Sequence, residues 1–304
     1  MKTLLAAVAL IAAALIAAPA AAQPAAAQPT AAIENRFTVT VMGAGPDVIL
    51  IPGLASTPAV WNDTAQRLQR THRVHVVQIN GFAGAPAGAN AEGLVVAPFV
   101  ASLNRYILAR GVERPAVIGH SLGGEAALML AARHPQSVGR VMAVDALPFF
   151  SLLFGPQATA ETARPIADQA RDGMLAQTAE AYAAAQPATL ARLVKDPAAR
   201  ERHVAASLAS DRSVVARAMH EIMTTDLRPE LAATAVPITV LYAWDEVTGV
   251  PAATFDALWT NAYAGVPSAR LQRIDGALHF IMDDQPQAFA EAVDAFLTAP
   301  TPPR

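Results

Sequence analysis

The sequence predicts an α/β fold: a mostly parallel central sheet, helices on both faces, and a helical cap inserted late in the chain. Two observations carry this. Short unbroken apolar runs, among them Asp47-Val-Ile-Leu-Ile51, Arg73 to Ile79 and Arg140-Val-Met-Ala-Val144, alternate with longer helix-like segments. Strands buried on both faces read this way because helices cover both sides of a parallel sheet. Strand signals then stop between Pro148 and Pro237, where the Ala-rich, charge-dotted stretch from Glu161 to Met223 reads as several consecutive helices, and resume at Ile238.

The elements follow in order. Phe37-Thr-Val-Thr-Val41 alternates like an edge strand, Gly43 to Pro46 breaks it, and the run to Ile51 is a buried strand. A helix over Trp61 to Arg70 precedes the strand Arg73 to Ile79. A helix over Phe99 to Arg110, the strand Ala116-Val-Ile118, a helix from Leu122 to His134 and the strand Arg140 to Val144 complete the first part. After the insert come the strands Ile238 to Ala243 and Arg270 to Ile274. A closing helix begins at Pro286, where proline at the first turn sacrifices no hydrogen bond. The expected division is a core over 36–147 and 231–300 with the cap over 148–230.

Hydrophobic residues make up 53% of the 304 and charged ones 15%, enough apolar material for a buried sheet. A formal net charge of -3 lacks the basic field that a nucleic acid partner requires. The chain has no cysteine, which rules out disulfides, Cys-based metal sites and a thiol nucleophile. Lys2, the apolar stretch Leu4 to Ala18 and the small residues Ala20 to Ala22 read as a secretory signal peptide over 1–22, so a secreted or periplasmic product is expected. An Ala/Pro tether over 23–35 follows, and no later run is long and apolar enough to leave a membrane span in the mature chain.

The chemistry centres on Gly119-His120-Ser121-Leu122-Gly123, which follows a strand and opens a helix. A sharp strand-to-helix turn exposes the serine hydroxyl at the end of the sheet, and the flanking glycines let strand and helix approach closely. The first N–H groups of that helix and the positive end of its dipole favour an oxyanion beside Ser121.

With this motif the chain resembles the α/β-hydrolase superfamily over nearly everything from Phe37 to Leu297. The resemblance implies that Ser121 is a nucleophile and that His279, in the His-Phe segment after the last strand, is its base. It implies an oxyanion hole from the backbone N–H groups of Leu54, in Ile51-Pro52-Gly53-Leu54, and Leu122; Pro52 stands where the family usually has His. The acid is expected after the strand ending at Ala243, where Asp245 is favoured over Glu246, while Asp145 is a third candidate because some members draw the acid from the earlier strand end.

Such a triad hydrolyses an ester or related acyl bond of a small molecule through an acyl-enzyme. Lactonases, peptidases and perhydrolases share it. Phe149 and Phe150, at the start of the insert, are candidate substrate contacts. No cofactor is expected, and no His or carboxylate spacing suggests a metal site. The competing reading is an inactive secreted binding protein on the same fold.

Overall fold

The computed structural model describes residues 29–30 and 35–300. The expected signal peptide over 1–22 and most of the tether over 23–35 lie outside the described residues. The described strands are β1 (Pro29–Thr30), β2 (Phe37–Met42), β3 (Asp47–Ile51), β4 (Arg73–Ile79), β5 (Ala116–His120), β6 (Arg140–Val144), β7 (Ile238–Trp244) and β8 (Ala269–Asp275). They form one sheet in the order β1-β2-β4-β3-β5-β6-β7-β8. From β4 onward every pairing is parallel, while β2 runs antiparallel to β4. The expected edge strand β2 lies one place inside the edge, because Thr30 of β1 pairs with Val39.

Alternating side chains build a separate core on each face of the sheet. On β3, Ile49 and Ile51 face one layer and Val48 and Leu50 the other; on β6, Val141 and Ala143 oppose Met142 and Val144. Helices α1 (Asn62–Leu68), α2 (Val96–Ala109) and α3 (Leu122–Arg133) follow β3, β4 and β5 in the chain. Residues of α2 and α3 pack into the layer of Ile49, whereas Leu68 of α1 packs into that of Val48. A central strand thus has no polar face, which is why it reads as an unbroken apolar run.

The insert is helical, as expected. It comprises α4 (Ala160–Ala176), α5 (Ala179–Ala191), α6 (Pro197–Ala209) and α7 (Arg212–Thr224), followed by the short α8 (Arg228–Leu231). Side-chain caps start each of the first four: Thr159, Thr178, Asp196 and Asp211 accept hydrogen bonds from first-turn N–H groups. Helix α4 lies along α7, and α5 along α6. Helix α9 (Ala252–Tyr263) links β7 to β8. The short α10 (Ile281–Asp284) and the closing α11 (Pro286–Thr298) follow β8, with Phe289 of α11 stacked on Trp61, ring centroids 6.1 Å apart.

Several sets of bonds hold the insert over the C-terminal edge of the sheet; at the turn between α6 and α7, Asp211 N–H donates to the Gly81 carbonyl at 2.7 Å and Ser210 Oγ accepts from Ala83 N–H at 2.8 Å. Glu221 of α7 is buried, and its carboxylate accepts from the N–H groups of Val95, Val96 and Ala97 at 2.7, 2.8 and 2.7 Å, neutralising the start of α2. At the other side, the loop between α5 and α6 is tied to the segment after β8. Phe280 N–H donates to the Leu193 carbonyl at 3.1 Å, and Lys195 N–H donates to Asp284 at 2.8 Å. Among the described residues no helix is long and apolar enough to cross a membrane.

Candidate active site

Ser121 stands between β5 and α3 with φ 54° and ψ -123°, a backbone region that costs a non-glycine residue on the order of 1–3 kcal/mol. Close approach on both sides holds it there. A Cβ on Gly119 would come within 2.0 Å of the Gly123 carbonyl oxygen, and one on Gly123 within 2.4 Å of that of Ile51. The spacing of the two glycines therefore reflects backbone contacts that no side chain would permit. Ser121 N–H donates to the Val144 carbonyl at 2.9 Å and its own carbonyl accepts from Glu125 N–H at 3.0 Å, so strand and helix are both pinned at the turn.

His279 lies in the loop between β8 and α10. Its Nδ1 is 2.6 Å from Oδ2 of Asp145, the residue after β6. The other carboxylate oxygen of Asp145 accepts from Ala243 N–H at 2.9 Å, and Asp145 N–H donates to the Leu241 carbonyl at 2.7 Å. Asp145 is thus locked to β7 through both backbone and side chain while it holds the imidazole. With Nδ1 engaged, Nε2 is the nitrogen left for a proton from Ser121.

The geometry brings Asp145, and not the favoured Asp245, to His279. Asp245 caps a turn of 3-10 helix over Glu246–Thr248 by accepting from Val247 N–H at 2.9 Å, and its other oxygen takes the Lys195 ammonium at 2.5 Å. That ammonium, first, and the Val247 N–H hold its carboxyl below the usual range. Glu246 is exposed on the same turn. Neither carboxylate bonds His279. The sequence signal for Asp145 was its position at the end of a buried strand; the lengthened loop after β7 hid the fact that its acids face the cap.

The two residues expected to supply oxyanion donors, Leu54 and Leu122, flank the Ser121 turn. Leu122 is the first residue of α3, and Leu54 follows Gly53, over which His120 and Ser121 fold so tightly that a Cβ would lie 2.9 Å from His120 Nδ1. Neither the Leu54 nor the Leu122 N–H has an acceptor among the described residues.

His120 packs beneath the site. It is fully buried; its Nε2–H donates to the His279 carbonyl at 2.9 Å, and its ring lies 4.6 Å from that of His279. Burial, and then the neighbouring His279, push its pKa well below the histidine range and keep it neutral. Its role is to support the loop that carries His279.

Ser121 and His279 line a cavity of about 680 Å³ beneath the insert, within the range of small-molecule sites. Phe150, Leu153, Met174 and Met219 contribute apolar wall. Phe150 is therefore where a substrate contact was expected. Phe149 is not: it is fully buried in the core with the Arg228 guanidinium 5.5 Å from its ring, because it points into the layer beneath the insert. Among the described residues no three His, Asp or Glu side chains gather to hold a metal ion.

A doubly covered parallel sheet, a strained serine at a strand-to-helix turn and an Asp–His pair from the loops after β6 and β8 define an α/β-type hydrolase. The chain belongs to the alpha/beta hydrolase fold family, whose profile matches residues 46–286. It is 28% identical over 266 residues to the pimeloyl-(acyl-carrier protein) methyl ester esterase of Aeromonas hydrophila, covering 86% of this chain and 98% of that protein. The crystal structure of a hydrolase from Pseudomonas aeruginosa superposes with a TM-score of 0.69 at 26% identity, covering 91% of this chain and 100% of that one. An enol-lactonase from Burkholderia xenovorans shares the fold, with a TM-score of 0.71 at 21% identity over 90% of this chain and 100% of that one.

Proposed function

We propose that this hydrolase cleaves carboxylic esters of small molecules through an acyl-enzyme on Ser121, with His279 as general base and Asp145 as its orienting acid. The observation that carries the reading is the 2.6 Å contact between His279 Nδ1 and Asp145, in a cavity that both His279 and the strained Ser121 line. The hydroxyl oxygen of Ser121 attacks the acyl carbonyl while His279 Nε2 takes its proton. The Leu54 and Leu122 N–H groups receive the developing oxyanion, and the tetrahedral species collapses as the protonated imidazole gives its proton to the leaving alkoxide. Water, deprotonated by the same imidazole, then releases the acid and restores Ser121.

The methyl ester esterase among the relatives supports an ester over other acyl bonds. The deciding experiment is hydrolysis of p-nitrophenyl esters by the protein and by Ser121→Ala. Wild-type turnover that disappears in the variant, with an organophosphorus probe labelling only the wild type, is the expected result. An inert wild type that also resists the probe leaves the binding-protein reading in its place. Export is proposed on the strength of Lys2, the apolar stretch Leu4 to Ala18 and the run Ala20 to Ala22. N-terminal sequencing of protein recovered from the periplasm or medium tests it: a start at or just beyond Gln23 is expected, and an intact Met1 overturns it.

A further inference from the structure

The cavity lies between the core and the insert. The core supplies Ser121 and His279, whereas the insert supplies the apolar side chains of Phe150, Leu153, Met174 and Met219 and, from α5 and α6, the polar ones of Tyr182, Gln186 and Ser207. These last three form a closed chain of hydrogen bonds. Ser207 Oγ–H donates to Gln186 Oε1 at 2.8 Å, and Tyr182 OH lies 3.2 Å from Ser207 Oγ. The serine has a single proton and spends it on Gln186, so the phenol is the donor in the second contact. The phenol oxygen therefore keeps an acceptor site. Gln186 Nε2 keeps a donor, since its one protein partner is the Tyr182 carbonyl at a long 3.4 Å.

Charge is the second feature. Among the described residues that line the cavity there is no Asp, Glu, Lys or Arg, and the lining His203 is already engaged through Nε2 with Asp283 at 2.7 Å. Arg212 lies 5.7 Å from the Tyr182 ring centroid, but it donates to the Gln177 carbonyl at 2.7 Å and does not line the cavity. An ionised carboxylate brought beneath the insert would lose its hydration with no cation to compensate it, a cost of several kcal/mol for an unpaired buried charge. A hydroxyl or carbonyl would lose little, because Gln186 and Tyr182 offer one donor and one acceptor.

We propose that the Tyr182–Ser207–Gln186 cluster makes this site selective for acyl groups bearing a neutral polar substituent, hydroxyl or carbonyl, at the end remote from the scissile ester. The selection rests on the ester hydrolase reading and adds the substrate class to it. A pocket built to hydrogen-bond a substrate group rejects the analogue that lacks it, because its own polar atoms are then left unpaired. The apolar wall of Phe150, Leu153, Met174 and Met219 accommodates the intervening methylenes.

Binding to the Ser121→Ala protein tests this without turnover. Methyl esters of ω-hydroxy acids with acyl chains of about four to ten carbons are titrated by calorimetry against two partners of each length, one with a methyl and one with a carboxylate in place of the hydroxyl. At the best length the hydroxy ester is expected to bind about tenfold tighter than its methyl counterpart, and the carboxylate about a hundredfold more weakly than the hydroxy ester. Gln186→Met, close in volume, brings the hydroxyl-to-methyl ratio to within about twofold. Ser207→Ala, which releases Gln186, reduces it as well, so the result does not hang on one variant folding.

Equal or weaker binding of the hydroxy ester at every length, or tighter binding of the carboxylate, overturns the proposal. So does a ratio that neither substitution changes. Failure of the hydrolase reading itself is visible separately, as a wild type that neither cuts p-nitrophenyl acetate nor takes an organophosphorus label.

Discussion

Asp145 and Asp245 differ in what each carboxylate touches, and that difference sets opposite expectations for the same substitution. In Asp145→Asn the side-chain oxygen can still accept from Ala243 N–H, but its amide presents N–H groups to His279 Nδ1, which forces the wrong tautomer. A fall in kcat of about 10³–10⁴ is expected, with KM little changed. Asp245→Asn removes only the bond to Lys195, a half-exposed side chain, so kcat on a short ester should stay within about threefold of wild type. Steady-state kinetics of the two variants side by side decide between the acids. Glu125, in the first turn of α3, makes a prediction about pH. Burial, with Glu221 nearby, pushes its carboxyl well above the usual range, so the native state keeps a proton that the unfolded chain gives up. Because the folded pKa is the higher, stability from this group is full below the unfolded value near 4.5 and declines as pH rises toward the folded value. Glu125→Gln should therefore unfold at nearly the wild-type temperature near pH 4 and at a higher one by pH 7–8, in thermal melts across about that range.

At the scale of elements, the turn that carries Ser121 and the bond that seats the insert can each be broken alone. Gly123→Ala places a methyl against the Ile51 and Pro52 carbonyls, which lie 2.4 and 2.6 Å from a Cβ built there. Strand β3 and helix α3 must then separate, moving Leu54 and Leu122 out of position. Loss of activity by at least about 10²-fold is expected, the scale of one lost oxyanion donor. Retained organophosphorus labelling at the wild-type rate would show that the approach is not needed. Glu221→Gln turns a carboxylate that accepts three N–H groups into an amide with one acceptor oxygen, leaving at least one donor of α2 facing another donor. A cost of about 2–3 kcal/mol is expected in urea unfolding.

For the whole molecule, the position of the cavity between sheet and insert governs how the protein meets its substrate. Much of its wall is apolar, so each added methylene of a short acyl chain should be removed from water at about 0.8 kcal/mol, or roughly fourfold in kcat/KM per carbon. The rise should stop when the chain reaches the Tyr182–Ser207–Gln186 cluster. A series of p-nitrophenyl esters from acetyl upward reads this directly; a flat series would show that the acyl chain lies outside the cavity. The insert is tied to α2 through Glu221, to the loop after β4 through Ser210, Asp211 and Arg217, and to the segment after β8 through Asp283 and Asp284. The last of these ties joins the α5–α6 loop to the chain segment that carries His279.

The order of the strands from β2 onward, the main helices, the helical insert and the strand-to-helix turn at Ser121 were legible in the sequence, because each rests on local causes. Burial on both faces makes an unbroken apolar strand, and a strand-to-helix turn demands glycines two residues either side of its serine. The acid was not legible in this way. Asp145 and Asp245 both end buried strands, and only the pairing of β6 with β7, together with Lys195 reaching from the insert to claim Asp245, decides that His279 meets Asp145. The same holds for Phe149 and Phe150, adjacent residues of one type, of which one is sealed in the core and the other faces the cavity. Position along a strand is a property of local sequence, whereas which side chain meets which depends on how distant elements cross. That is why the turn that carries Ser121 could be read from the chain, and why the carboxylate that meets His279 and the Tyr182–Ser207–Gln186 cluster required the tertiary structure.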